Sequence, residues 1–287
     1  MTVTEKFEVN NNLISYVRYG NEWKETAVLF FHGFTGSKKY IPDLKELEDI
    51  CIISFDRPGI GESDVQDYYT MEDFFACVNA VLYHHGIKKL HLIGHSAGGY
   101  YAQVYAQNNP NRVETLSLVS SMIPYNCPET KSIINSQIKL NNFLTLHMKA
   151  ISKYFFKQAA KGLSANFDSQ FEGMLKTVSK EEQKYIKENY DMVKSAIINA
   201  VKNDGIGIYY DAYALCQKRD EVCISSSIPV FIWNGTEDDT TPVSYAEYLA
   251  NKYSAKQTHI IDDVGHMMYL LYWKDIVLET LHNNEVT

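Results

Sequence analysis

A short strand that runs directly into a helix is predicted in the first third of this 287-residue chain. The residues from Leu90 to Gly99 read LHLIGHSAGG, and a helical pattern follows them. A serine in a G-x-S-x-G turn between a strand and a helix is typical of a catalytic nucleophile. Gly94 and Gly98 are needed because the neighbouring backbone comes too close for a β-carbon. The stretch therefore predicts an accessible, reactive hydroxyl at Ser96, although the pentapeptide alone also fits an ordinary turn.

The overall composition is that of a globular protein with an acidic balance. The chain has a net charge of −8, a sequence isoelectric point near 5.6 and 45% hydrophobic residues. With no basic stripe apparent to neutralise phosphates, we expect no nucleic-acid partner. No apolar run approaches the roughly 20 residues of a membrane span, so we expect no membrane partner. The first residues lack a secretion signal, and the scattered cysteines match no disulfide or zinc spacing, so we expect a cytoplasmic protein.

Segments that fit buried strands alternate along the chain with segments of helical periodicity. Two stretches of alternating polarity, Phe7 to Val9 and Leu13 to Val17, predict a hairpin at a sheet edge. Further strand patterns lie at 27–31, 50–55, 90–95, 113–119, 228–233 and 257–261, and helical patterns at 40–49, 70–85, 97–109, 243–252 and 267–282. Strands that are apolar on both faces are typical of a parallel sheet covered by helices on each side. We therefore predict the α/β class, with a doubly wound and mostly parallel sheet.

The alternation is interrupted between about Pro124 and Val222, where helical patterns occur without a strand. Within this stretch the capping box Ser179-Lys180-Glu181-Glu182 opens a helix that is predicted to last to about Asn203. We interpret the stretch as an insertion at the carboxyl edge of the sheet, where ligands bind in such folds. The predicted domains are a core of residues 1–123 and 223–287 and a helical cap, or lid, of residues 124–222.

Two polar segments downstream of Ser96 could supply the base and the acid that a serine nucleophile requires. A hydroxyl is a weak nucleophile at neutral pH unless a histidine, itself oriented by a carboxylate, removes its proton. The neighbours Glu237, Asp238 and Asp239 follow one predicted strand, and His266 follows the last one. Because the carboxyl ends of parallel strands share one sheet edge, we expect these groups to lie near Ser96.

The chain resembles the capped members of the α/β-hydrolase fold family over essentially its whole length outside the cap. Four motifs carry the resemblance: His32-Gly33-Phe34, Gly94-His95-Ser96-Ala97-Gly98, Gly235-Thr236-Glu237-Asp238 with Pro242, and Gly265-His266. The loop from Asp56 to Ser63 also resembles the one that many members carry after the corresponding strand. The resemblance implies an α/β-hydrolase fold with an inserted helical cap.

The resemblance also implies a role for each of five residues. Ser96 is expected to be the nucleophile, His266 the general base and acid, and Asp238 the acid that orients the histidine. The backbone N–H groups of Phe34 and Ala97 are expected to form the oxyanion hole, and the helix that follows Ser96 adds its positive end.

Several neighbouring residues remain alternatives to these assignments. For the acid, Asp239 is the next candidate, and a small shift of the loop could also select Glu237. For the base, His259 lies inside a predicted strand and His282 near the end of the last helix, so we expect both to be structural or solvated. His95 flanks the nucleophile without having the position of a base.

A serine at the turn narrows the chemistry, because family members that dehalogenate or open epoxides use aspartate there. We expect carboxylesterase-like hydrolysis of a small, partly apolar acyl substrate (an ester, thioester or lactone), with no metal and no other cofactor. A peptidase of the prolyl-iminopeptidase kind or a C–C hydrolase is the enzymatic alternative. The sequence His95-Ser96-Ala97 departs from the Gly-Ser-Trp context common among iminopeptidases. A non-catalytic ligand sensor is the alternative of another class, and the oligomeric state stays open.

Overall fold

The computed structural model describes residues 2–42, 44–125, 128–134 and 136–281. Within these ranges one sheet has eight strands in the order β1-β2-β4-β3-β5-β6-β7-β8. Neighbours are antiparallel from β1 to β2 and from β2 to β4, and parallel in every later pair. The strands are Val3–Val9 (β1), Asn12–Tyr19 (β2), Thr26–Phe31 (β3), Ile52–Phe55 (β4), Lys89–His95 (β5), Val113–Val119 (β6), Val230–Gly235 (β7) and Gln257–Ile261 (β8). The predicted α/β class, with its mostly parallel sheet, is confirmed.

Helices cover both faces of this sheet. Successive side chains of a strand point to opposite faces of the sheet. Because β3 and β5 are apolar on both faces, helices must pack against each face. Leu29 and Leu92 pack in a core with helices Met71–His84 (α1), Ala97–Asn108 (α2) and Val243–Tyr253 (α9). Phe30 and Ile93 pack on the other side with helix Trp273–Leu281 (α10). Among the described residues, no helix is both long and apolar enough to cross a membrane.

In the described part of the chain, six α-helices lie between β6 and β7, where the sequence shows no strand pattern from about 124 to 222. They are Ser136–His147 (α3), Lys149–Ala165 (α4), Phe167–Leu175 (α5), Lys180–Glu188 (α6), Tyr190–Ala200 (α7) and Ile206–Cys216 (α8). The prediction of one continuous helix from Ser179 to Asn203 was wrong, because the chain breaks at Asn189 (φ −112°, ψ 33°). The Tyr185 carbonyl accepts both the backbone N–H and the side-chain amide of Asn189, each at 2.9 Å, so Asn189 closes α6 as its C-terminal cap.

Two other predicted helices are shorter than their patterns suggested. Among the described residues between 40 and 49, the helical structure is limited to a 3₁₀ turn, Lys45–Leu47. Pro42 has no N–H to donate and restricts the residue before it, which disfavours a helix through this point. At the carboxyl end, a 3₁₀ turn Met268–Leu270 precedes α10. The alternative base His282 lies outside the described residues.

The parallel half of the sheet brings its loops to one edge. Strands β5, β6, β7 and β8 are parallel neighbours, so their carboxyl ends lie side by side. Ser96 directly follows β5, Asp238 lies three residues beyond β7, and His266 lies five residues beyond β8. The fold therefore places all three at one end of the molecule.

Candidate active site

The turn between β5 and α2 holds Ser96 in a conformation that few residues adopt. Its backbone has φ 55° and ψ −123°, and helix α2 begins at the next residue. The glycines on either side are required by close contacts. A β-carbon on Gly98 would lie 2.0 Å from the Phe31 carbonyl oxygen, and one on Gly94 would lie 2.6 Å from the Gly98 carbonyl oxygen. The strand, the turn and the helix have the arrangement that the sequence predicts.

Ser96, His266 and Asp238 form one chain of hydrogen bonds. Ser96 Oγ lies 2.9 Å from Nε2 of His266, and Nδ1 of His266 lies 2.9 Å from Oδ2 of Asp238. An ionised carboxylate can only accept, so the Nδ1–H of His266 donates to Asp238. Nε2 is then the unprotonated nitrogen, and the Ser96 hydroxyl donates to it. This is the geometry that general-base activation of a serine needs.

The environment of Asp238 keeps its side chain ionised. Its Oδ1 accepts the N–H groups of Thr240 and Thr241 at 2.9 and 2.8 Å, and its Oδ2 accepts the Thr241 hydroxyl at 2.7 Å. Burial alone would raise the pKa of the carboxyl, but the hydrogen bond and charge of His266 and the Thr241 donors lower it below its usual value. Glu237 and Asp239 are exposed. Of the three neighbouring acids, Asp238 is the one that the structure brings to His266.

The loop that contains Phe34 lies beside Ser96 and is held from behind by Arg57. A β-carbon on Gly33 would lie 3.3 Å from the Ser96 β-carbon. Arg57 donates to the carbonyl oxygens of His32 and Gly33 at 2.8 and 2.9 Å, and also to Asp211 of α8 at 2.8 Å. The Gly33 carbonyl belongs to the same peptide group as the Phe34 N–H. Arg57 therefore fixes the orientation of the donor expected in the oxyanion hole.

The other candidate donor, the N–H of Ala97, lies at the first position of α2. The first N–H groups of a helix have no partner within the helix and carry its positive end. Among the described residues, no acceptor for the Ala97 or the Phe34 N–H is found in the turns and loops. Both donors are thus available to a negatively charged oxygen.

The other histidines of these motifs support the arrangement. His95 donates from Nε2 to the backbone carbonyl of His266 at 2.9 Å, and its ring lies 4.9 Å from the His266 ring. Burial, followed by the nearby His266, lowers the pKa of His95 to about 3, so the ring is neutral at physiological pH. The alternative base His259 instead lies 2.8 Å from Glu279 and stacks on Trp233.

Glu182 of α6 is a buried carboxylate in contact with the loop that carries His266. Its Oε2 accepts the Ser179 N–H at 2.8 Å, which closes the predicted capping box. Its Oε1 accepts the N–H of Gly265, the residue before His266, at 3.1 Å. The sequence predicts the contact with Ser179 but not the one with Gly265. Similarly, it shows the loop motif that contains Arg57 but not the carbonyl groups to which Arg57 donates. The available signals were the capping box for Glu182 and the family-like loop from Asp56 to Ser63 for Arg57.

Two cavities meet at Phe34. The first, of about 310 Å³, contains Ser96 and His266 and is otherwise lined mostly by apolar side chains, several of them from α4, α5 and α7. The second, of about 380 Å³, is lined largely by α3, α4 and α8. Phe34 lines both cavities and therefore separates the space around Ser96 from a further apolar chamber.

Comparisons with known proteins agree on the fold. A family model described as the alpha/beta hydrolase fold matches residues 26–271. A proline iminopeptidase of Lactobacillus crispatus is 22% identical over 281 residues, which cover 88% of this chain and 87% of the relative. A monoacylglycerol lipase of Xenopus laevis is 24% identical over 288 residues, which cover 91% of this chain and 75% of the relative. The crystal structure of an enol-lactonase from Burkholderia xenovorans LB400 matches with a TM-score of 0.69 and 14% identity, over 96% of this chain and 99% of that one.

Proposed function

The chain belongs to the α/β hydrolase fold family, and on that premise we propose that it is a serine hydrolase of small carboxylic esters, thioesters or lactones. The observation that carries the proposal is the continuous hydrogen-bond chain Ser96–His266–Asp238, at 2.9 Å for each link. The mostly apolar cavity around Ser96 supports a substrate that is itself partly apolar. The proposed reaction is therefore the hydrolysis of an acyl bond in a small, partly apolar substrate.

In the proposed reaction, Ser96 attacks the carbonyl carbon of the substrate while His266 takes the hydroxyl proton. The carbonyl oxygen becomes negative and accepts the N–H groups of Phe34 and Ala97, which stabilises the tetrahedral intermediate. His266, held in one tautomer by Asp238, then gives the proton to the leaving oxygen or sulfur. Water enters, His266 deprotonates it, and its attack on the acyl-enzyme releases the acid and restores Ser96.

The lining of the cavity favours esters over substrates with a free amino terminus. An N-terminal amine is a cation at neutral pH, and a buried cation needs an anionic partner. Among the described residues that line the cavity with Ser96, no side chain is acidic. The buried Glu182 is already engaged by the N–H groups of Ser179 and Gly265. An ester or lactone carbonyl, which is neutral, needs no such partner.

We also propose that residues 124–222 act as a cap that shapes the substrate site. The cavity with Ser96 is lined on one side by core residues such as Phe34 and on the other by Leu163, Phe171 and Val193 from the inserted helices. The buried free thiols Cys51, Cys77 and Cys216 support a reducing compartment, and we propose a cytoplasmic location.

The decisive variant is Ser96→Ala, because it removes the nucleophile and leaves a small side chain in the turn. Hydrolysis of p-nitrophenyl butyrate is expected to fall by a factor on the order of 10⁴ to 10⁶. A fluorophosphonate probe should label the unaltered protein at Ser96 and leave the variant unlabelled. Circular dichroism of both proteins verifies that the fold is kept.

Ser244→Ala is the matched control, since Ser244 is exposed on α9. This variant should hydrolyse the ester and take up the probe like the unaltered protein. Full activity of a folded Ser96→Ala protein, or labelling at a different serine, would move the nucleophile elsewhere. Turnover of a proline anilide in preference to every ester tested would favour the peptidase alternative.

A further inference from the structure

Helices α3 and α4 expose an unusual number of large apolar side chains. Phe143 is 55% exposed, Tyr154 61% and Phe155 63%. More than half of the large hydrophobic side chains that are exposed in the described part of the chain lie between residues 140 and 155; they are Leu140, Phe143, Met148, Ile151, Tyr154 and Phe155. Clustered exposed apolar residues on a water-soluble surface mark a site of interaction. We call these six residues the α3–α4 surface.

The segment that carries this surface has a charge opposite to that of the whole molecule. Residues 130–167 contain six lysines and no aspartate or glutamate, whereas the chain as a whole has a net charge of −8. Lys139 adjoins Leu140 on α3 and is exposed. Lys149 and Lys153 flank Ile151 on α4, and their ammonium groups lie 4.5 and 4.8 Å from the centre of the Tyr68 ring. Lys157 has an acidic neighbour, Asp204 at 2.8 Å, which belongs to a different segment of the chain. Exposed apolar side chains among lysines are characteristic of helices that lie at an anionic lipid interface.

The same surface opens into the interior of the protein. Ile151 and Phe155 are exposed and also line the 380 Å³ cavity, whose remaining lining is mostly apolar. Phe34 separates this cavity from the one with Ser96. An apolar molecule that leaves a lipid layer at this surface would therefore meet apolar protein surface as far as the residue beside the candidate nucleophile.

We infer that the α3–α4 surface docks the protein onto an anionic lipid membrane, with the apolar side chains at the level of the acyl chains and exposed lysines such as Lys139 at the phosphates. A second copy of the chain is a poor occupant, because a two-fold contact would bring two lysine-rich surfaces together. The sequence-based expectation of no membrane partner rested on the absence of a spanning segment. Binding at the membrane surface does not require a spanning segment. The negative net charge of the whole chain also does not reveal the local excess of lysine.

Vesicle sedimentation with the full-length Ser96→Ala protein tests this inference independently of catalysis. Vesicles of phosphatidylcholine mixed with phosphatidylglycerol should bind the protein, vesicles of phosphatidylcholine alone should bind it much less, and added salt should release it. Lys139→Gln should lower the partition coefficient by about fivefold, the effect of one lysine near an anionic surface. Phe155→Ser should lower it by about tenfold or more, because a large apolar side chain no longer enters the lipid.

Two control variants distinguish binding through the α3–α4 surface from general effects of charge and hydrophobicity on vesicle binding. Lys184→Gln changes an exposed lysine on α6 and Tyr83→Ser changes an exposed aromatic residue on α1, and both should bind vesicles like the parent. Equal losses in the controls, or binding that ignores phosphatidylglycerol, would overturn the inference. Loss with Lys139→Gln but none with Phe155→Ser would also overturn it, since it would indicate a general polyanion site. So would self-association through this surface in place of vesicle binding. None of these outcomes depends on whether Ser96 is catalytic.

Discussion

The carboxylate that reaches His266 is selected by a turn only a few residues long. Asp238 accepts the N–H groups of Thr240 and Thr241, so its side chain closes the turn to which it belongs and points inward. Glu237 and Asp239, its neighbours, are exposed. Three adjacent acids look alike in the sequence, because the order of the residues does not reveal which backbone amides will face which side chain. The family motif predicts Asp238, and the local hydrogen bonds supply the physical reason.

Replacing Asp238 by asparagine should impair turnover while leaving the shape of the site nearly unchanged. An amide can present its NH₂ group to His266 Nδ1, which then becomes an acceptor, so that Nε2 carries the proton and cannot accept one from Ser96. We expect kcat for a p-nitrophenyl ester to fall by about 10⁴-fold. Steady-state kinetics over a range of pH measure the effect.

Asp239→Asn makes the same chemical change one residue away and is the matched control. Because Asp239 is exposed, its variant should keep kcat within about twofold of the parent, as is usual for surface changes. A large loss in Asp239→Asn together with a normal Asp238→Asn would show that the acid lies one position further along the loop.

At the scale of elements, α6 has a function that its own sequence only half reveals. The capping box of Ser179 and Glu182 predicts where the helix begins, and the structure bears this out. The second oxygen of Glu182 holds the Gly265 N–H at 3.1 Å and so joins an inserted helix to the segment before His266. This contact joins residues 83 positions apart in the sequence, so no local pattern can predict it.

Glu182→Ala should therefore affect both stability and catalysis. Loss of the cap and an unpaired Gly265 N–H should together cost about 2 kcal/mol of unfolding free energy. Greater freedom of the loop should lower kcat for a short ester by about ten- to a hundredfold, with a smaller change in KM. Thermal unfolding and steady-state kinetics measure the two effects separately.

Glu181→Ala is the comparison variant, since Glu181 lies in the same helical turn but is exposed. Glu181→Ala should change neither the free energy of unfolding nor kcat by much. Glu182→Gln retains one carbonyl oxygen for Gly265 and should recover part of kcat. If Glu182→Ala lowers the melting temperature without changing kcat, the residue is only a helix cap and does not position His266.

The elements themselves were predictable to different degrees. Strands β6 and β8 have the predicted bounds, because apolar pattern and burial coincide there. The break at Asn189 and the 3₁₀ turn Lys45–Leu47 in place of a longer helix were not predicted. In each case the helical spacing of apolar residues continues where the helix does not, because that spacing reports which side chains can share a buried face and not the backbone angles of each residue.

At the scale of the whole molecule, buried histidines make the fold sensitive to acid. His32 and His95 lie behind the candidate site, and burial lowers the pKa of both, to about 3 for His95 and well below the usual range for His32. Arg57 adds to the effect at His32, and His266 adds to it at His95. An unfolded chain would bind protons on both rings below about 6.5, whereas the folded protein does not.

The unfolding free energy should therefore decrease as the pH falls below about 6.5. The stability provided by the neutral rings is fully present above that value and, for His95, is lost as the pH falls toward about 3. Each such ring should contribute a slope of about 1.4 kcal/mol per pH unit within this interval. Urea unfolding at a series of pH values measures the slope.

His95→Gln offers a direct check, because the glutamine amide can still donate to the His266 carbonyl but does not titrate. This variant should show a shallower slope by one proton between about 6.5 and 3. Equal slopes in the parent and in His95→Gln through this interval would show that His95 binds protons equally in the folded and unfolded states.

The sequence by itself determined the fold class and the order of the site motifs, and through the family resemblance it predicted the candidate triad. These follow from local patterns: strands buried on both faces are apolar, and a strand-turn-helix nucleophile needs glycines beside it. The tertiary structure decided which acid meets His266, that Arg57 and Glu182 hold the two loops beside Ser96, and that exposed apolar side chains gather among lysines on α3 and α4. Contacts between distant segments and the exposure of a side chain depend on how all the elements pack, and no short stretch of sequence contains that information.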